Sequence, residues 1–182
     1  MKFQFLIFLV VFSPGAFSQA EADKIFWEQD VLNWEDFKAQ PIAESKFDAN
    51  TNAGLSFSWG LKKDNEVIEL TYEVSSYFNP YLSWVKEDSD KDYLLKHEQL
   101  HFDITELHAR KLQKKLAEVN PASLHKDPKG ILTRIYQSVE KERTAMQLRF
   151  DKESRHSVDK EGEARWQQFV RTELLKYANI SS

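Results

Sequence analysis

The chain has 182 residues, five histidines, no cysteine and a formal net charge of −4. That length suits one domain with a real core. The missing cysteine excludes disulfides, thiolate metal sites and cysteine nucleophiles, so any metal must be held by histidine and carboxylate. The charges are mixed in sign, and without a basic stripe no nucleic-acid partner is expected.

Residues 1–20 read differently from the rest. Lys2 supplies a short basic start, residues 3–12 are nearly all apolar, Pro14 and Gly15 break the run, and Ser18-Gln19-Ala20 places small residues at a cleavage position. The apolar run is shorter than the about 20 residues a membrane span needs. The expectation is a signal peptide cut after Ala20 and a secreted or periplasmic product with no stable membrane insertion after cleavage. Residues 21–182 then form a single domain.

Residues 25–41 mix aromatics (Phe26, Trp27, Trp34, Phe37) with acids and end at Pro41. They predict a short extended piece, then a turn or single helical turn begun by Asn33, with the rings anchoring the segment to the core. Residues 54–61 alternate, with Leu55, Phe57, Trp59 and Leu61 on one face; residues 68–78 alternate with Ile68, Leu70, Tyr72, Val74 and Phe78 in phase. This is a hairpin with one buried face, joined by a loop over 62–66. Asp88, Asp90 and Asp92 faintly resemble the opening of a calcium loop. Tyr93 replaces the required glycine and Gln99 the required glutamate, so an acidic helix start is the better reading.

A helix is predicted from about Asp92 to Val119, stopped by Pro121. A second begins at Asp127-Pro128, with aspartate as cap and proline in the first turn. A third begins near Asp159 and carries Trp166, Phe169, Val170 and Leu174. The stretch from Phe150 to Ser157 separates the last two. Strands first and helices after predict an α+β fold, an antiparallel hairpin packed on a long helix followed by two further helices.

Within the first helix lies His97-Glu98-Gln99-Leu100-His101. Imidazoles four residues apart sit one turn apart on one face, where both reach one zinc ion with the intervening carboxylate beside it. The plain alternative is a helix with two solvated histidines. Asp103 and Glu106 fall on the far side and are poor ligands. His108 is in line but about 10 Å along the axis from His101, too far to share the ion, and is expected as a partly buried residue lining the same cleft.

A catalytic zinc site uses a third protein ligand and leaves one position for water. His125, His156, Glu140 and Glu142 are candidates, and spacing does not choose among them. Glu98 is the expected general base. Tyr136, His108 and Arg155 are candidates for stabilising a developing oxyanion. Strand 68–78, if at a sheet edge, is expected to align an extended peptide by strand addition.

Several segments occur in the same order in one bacterial family: 32–37 (Leu-Asn-Trp-Glu-Asp-Phe), Ser83-Trp84-Val85, 94–104 around the two histidines, and 109–112. The tail 150–156, followed by Trp166, is similar to that family's ending, a Tyr-Asp-x-Glu-Thr-x-His-Gly run before the last helix. The chain thus resembles a domain-of-unknown-function family described as predicted secreted zinc-dependent proteases. The resemblance implies a zincin-like metallopeptidase domain acting on a peptide or protein substrate with Zn2+ as cofactor. It implies His97 and His101 as ligands, Glu98 as the motif acid and His156 as third ligand. Asp151 or Glu153 would orient an imidazole or be the ligand itself. Ser157 stands where the family has glycine, and Phe150 where it has tyrosine. The alternatives are a non-catalytic zinc-binding domain and an envelope-associated interaction domain without metal.

Overall fold

The computed structural model describes residues 24–27, 31–64, 67–87 and 91–178. The expected signal segment and the aspartates at 88 and 90 lie outside these residues. The architecture is α+β, with an antiparallel sheet region followed by three long helices. The strands are β1 (Ile25–Phe26), β2 (Ala49–Asn50), β3 (Ala53–Asp64), β4 (Val67–Phe78) and β5 (Trp84–Val85); the helices are α1 (Lys91–Ala117), α2 (Pro128–Ser154) and α3 (Lys160–Lys176). No helix among the described residues is long and apolar enough to cross a membrane.

The alternating segments form the expected hairpin, paired from Ala53↔Phe78 to Asp64↔Val67. Pairing runs further than expected, so residues 62–64 belong to β3 rather than to the loop. The inner face packs Leu55, Phe57, Leu61, Leu70, Tyr72 and Val74 against Leu112 and Leu116 of α1 and Leu132 and Val139 of α2. Trp59 is in phase with this face yet 38 % exposed. β1 extends the sheet beyond β4, while β2 and β5 form a separate two-stranded pair.

The N-terminal segment is fastened by Trp27, Trp34 and Phe37 as its composition suggested, whereas Phe26 is half exposed. Asn33 starts a single 3-10 turn, accepting from the Glu35 N–H at 2.9 Å, while the Asp36 carboxylate accepts from the Asn33 N–H at 2.9 Å. Trp27 Nε1 donates to Asp103 at 2.9 Å, and the Leu32 N–H donates to Gln99 at 2.8 Å. Leu32, Phe37, Phe78 and Phe102 close a core over these anchors. Asp103 and Glu106 are thus engaged on the far side of α1, the latter with Ser76 at 2.7 Å and Arg110 at 2.7 Å.

α1 is central: its buried positions cover well over half of its circumference, because sheet and helices pack on opposite sides. Asp127 and Asp159 cap α2 and α3, accepting from the Gly130 and Gly162 N–H groups at 2.9 Å each. α2 is longer than the sequence suggested. Phe150–Ser154 are its last turns rather than part of a break, and Phe150 is fully buried with Leu100, Ile104, Trp166 and Val170.

The reversal into α3 is tight and strained. Arg155, His156 and Ser157 have φ of 52°, 52° and 68°, the left-handed region that favours glycine. Gly162 lets the start of α3 approach α2, since a Cβ there would stand 2.6 Å from the Glu153 carbonyl oxygen. We expect Ser157→Gly to stabilise the fold by about 1 kcal/mol and Gly162→Ala to destabilise it by at least about 1 kcal/mol, both measured by urea unfolding. The opposite order would contradict this reading of the turn.

Candidate metal centre

The sequence places His97 and His101 on one face of α1, and the fold brings the α2 C-terminus across that face. Arg143, Gln147 and Asp151 are four residues apart on α2, hence one stripe, and all three border the same cleft as the histidines. Among the described residues, His97, His101 and Asp151 form a group able to hold a metal ion. The His97 and His101 Nε2 atoms are 3.2 Å apart, and Asp151 Oδ1 lies 3.0 Å from His101 Nε2 and 3.5 Å from His97 Nε2.

Each imidazole is also held from behind. His97 Nδ1 is 3.0 Å from Glu163 Oε2 of α3, and both residues are buried. His101 Nδ1 contacts Gln147 Oε1, whose amide nitrogen donates to the His101 carbonyl at 2.8 Å. The Phe150 ring packs against both imidazoles, at centroid distances of 4.6 and 4.9 Å.

Charge follows from these contacts. Burial pushes the His97 pKa down, but hydrogen bonds to Asp151 and Glu163 and the Glu98 charge outweigh it and raise the group to about 9. Burial pushes the Asp151 carboxyl up, but its bonds to His101 and His97 prevail and hold it below the usual carboxylate range. A proton on His97 offsets part of the charge of the carboxylates gathered around it. Glu98 is 4 % exposed and lines the cleft; its Oε2 has no hydrogen-bond partner among the described residues.

His156 is not in the converging group. Its side chain is about half exposed, with Nδ1 3.8 Å from Asp151 Oδ1, and its ring rests on Phe47 at 4.9 Å. The longer α2 is the reason: it delivers Asp151 to the histidines and leaves His156 beyond the helix end, at the cleft margin. His125 is exposed at the end of a 3-10 turn, Pro121–His125. Glu140 pairs with Arg143 at 2.7 Å and Glu142 with Lys115 at 2.9 Å. Glu153 accepts from Trp166 Nε1 at 2.9 Å.

His108, expected to line the cleft, is instead fully buried and does not border it; Nδ1 bonds the Ile104 carbonyl at 2.8 Å. Burial, only partly offset by that bond, lowers its pKa to about 4. Tyr136 stacks on Phe57 away from the cleft, whereas Arg155 borders it.

The cleft holds about 530 Å³. Strand 68–78 does not border it, so the expected pairing strand is corrected. β4 is the middle strand of its sheet and contacts Glu106 and Gln113, on the face of α1 opposite the histidines. β2 borders the cleft instead. The Lys86 N–H donates to the Asp48 carbonyl at 2.7 Å, and Ala49 and Asn50 pair with Val85 and Trp84, so the antiparallel alternation turns the Ala49 backbone groups away from β5. Thr51 Oγ1 donates to the Glu98 carbonyl at 3.3 Å, tying this edge to α1. Glu163 and Gln147 are not marked by any motif in the sequence. The one signal is Gly162, a glycine in a helical first turn that marks close backbone approach.

Two histidines with opposite shifts predict how metal-free stability depends on pH. The raised His97 contributes about 3 kcal/mol below pH 6.5, lost as pH rises through 9. The depressed His108 costs a similar amount as pH falls from 6.5 toward 4. In chelator, Tm is expected to peak near pH 6.5 and fall roughly 6–12 °C on either side. A flat profile between pH 6.5 and 9 would contradict the charge assigned to His97.

No curated protein and no solved structure matches the chain. Residues 82–157, which run from β5 to the strained turn and include His97, Glu98, His101, Asp151 and His156, match the model of a family described as "Bacterial protein of unknown function (DUF922)".

Proposed function

We propose that this chain is a zinc-dependent hydrolase that cuts extended peptide or protein substrates. The observation that carries the reading is the triangle of ligand atoms, with edges of 3.0, 3.2 and 3.5 Å. A tetrahedral ion bonded at about 2.0–2.1 Å requires edges of about 3.3 Å. Two imidazoles and one carboxylate form a donor set that suits zinc and leaves a fourth position. In this reading His97, His101 and Asp151 hold the ion, and His156 stands at the cleft margin.

The chemistry zinc supplies when bound is acidification of a water and polarisation of a carbonyl. Glu98, which lines the cleft beside both histidines, would accept the water proton and pass it to the leaving amine. Ala49 offers backbone groups to an extended peptide laid along β2, and Arg155 borders the same cleft. Residues 1–20 support export to the periplasm or beyond.

Zinc titration and hydrolysis of an internally quenched peptide library test the proposal together. Wild type is expected to bind one zinc and to cleave library members. Glu98→Gln should keep the zinc and lose about 100- to 10,000-fold in turnover, whereas His101→Ala should lose the zinc. Wild-type turnover in Glu98→Gln would exclude Glu98 as the base, and a wild type that holds zinc without cleaving any peptide would overturn the hydrolytic reading.

A further inference from the structure

We infer that Glu163, on a helix beyond the family match, is the positioning residue that sets His97 for the metal; this rests on the metal reading above. Glu163 is 1 % exposed, and its Oε2 lies 3.0 Å from His97 Nδ1. A carboxylate there accepts a hydrogen bond from Nδ1–H and so fixes the neutral tautomer that, once the Nε2 proton is lost, leaves the Nε2 lone pair toward His101 and Asp151. It also fixes the ring plane and raises the basicity of the ligand nitrogen. The other oxygen, Oε1, has no partner among the described residues, so Glu163 is not held there for a competing internal bond. Burying a carboxylate is costly unless it is paired, and the group that pairs with it is a metal-ligand candidate.

Three features deliver this carboxylate. Trp166 and Val170 seat α3 against Leu100, Ile104 and Phe150, which border the histidine turn. Gly162 allows α3 to start against the Glu153 carbonyl. The left-handed run at 155–157 reverses the chain within a few residues. The third helix is therefore part of the metal centre and not only a cover for the core.

Competitive zinc titration of the full mature chain, against a chromophoric chelator, tests this with Glu163→Gln and Glu163→Ala. Glu163→Gln keeps an acceptor and the shape, and is expected to fold with unchanged far-ultraviolet circular dichroism and bind zinc about 10-fold more weakly; Glu163→Ala should lose about 100-fold. In 15N-edited NMR of the zinc-loaded wild type, His97 should show a downfield, exchange-protected Nδ1 proton. That signal should move upfield in Glu163→Gln, a change that loss of packing alone would not produce. Wild-type zinc affinity and an unmoved Nδ1 signal in Glu163→Gln would overturn the inference while leaving the metal reading intact. A wild type that takes up no zinc would remove both.

Discussion

The arrangement turns on one carboxylate oxygen, Asp151 Oδ1, lying between two imidazole nitrogens of α1. The contact brings the end of α2 to the N-terminal half of α1 and concentrates opposite charges in a half-buried place. Such a cluster is costly to desolvate unless every member is engaged. Here the engagement is reciprocal: the acid holds His97 protonated, and the histidines hold the acid ionised. The same three residues form the group whose ligand atoms lie close enough to hold one metal ion.

The surroundings keep these atoms in place. Phe150 fixes both rings from the side of the core, Gln147 and Glu163 hold their outer nitrogens, and Thr51 ties the cleft's strand to the turn that carries Glu98. The strained reversal after Ser154 fits this picture. Left-handed backbone at three non-glycine residues costs of order 1 kcal/mol or more each, and what it gains is a short path that returns α3 to His97. Backbone strain of this kind persists where the surrounding structure over-determines it, and here it borders the cleft.

Much of this is legible in the chain. Period-two alternation marks β3 and β4, the aspartates before Pro128 and Lys160 mark two helix starts, Asn33 marks the 3-10 turn, and the four-residue histidine spacing marks the face of α1 that meets Asp151. What escapes depends on tertiary packing. Charged residues from Asp151 to Arg155 look like a break, yet burial of Phe150 and a left-handed cap at Arg155 prolong α2 through Ser154. That prolongation brings Asp151, rather than His156, to the two histidines, and no local pattern reports it. His108 looks like a cleft residue because it shares the histidine stripe, but the helices close over that part of α1. Glu163 is invisible in the sequence because its partner is 66 residues away. The edge that faces the cleft is the two-residue β2, too short to show any alternation.

Crystals of the zinc-loaded protein, with an anomalous difference map at the zinc edge, address the central contact most directly. One peak is expected, about 2.0–2.2 Å from His97 Nε2, His101 Nε2 and an Asp151 carboxylate oxygen. A peak bonded to His156 in place of Asp151, or no peak at the two histidines, would contradict it.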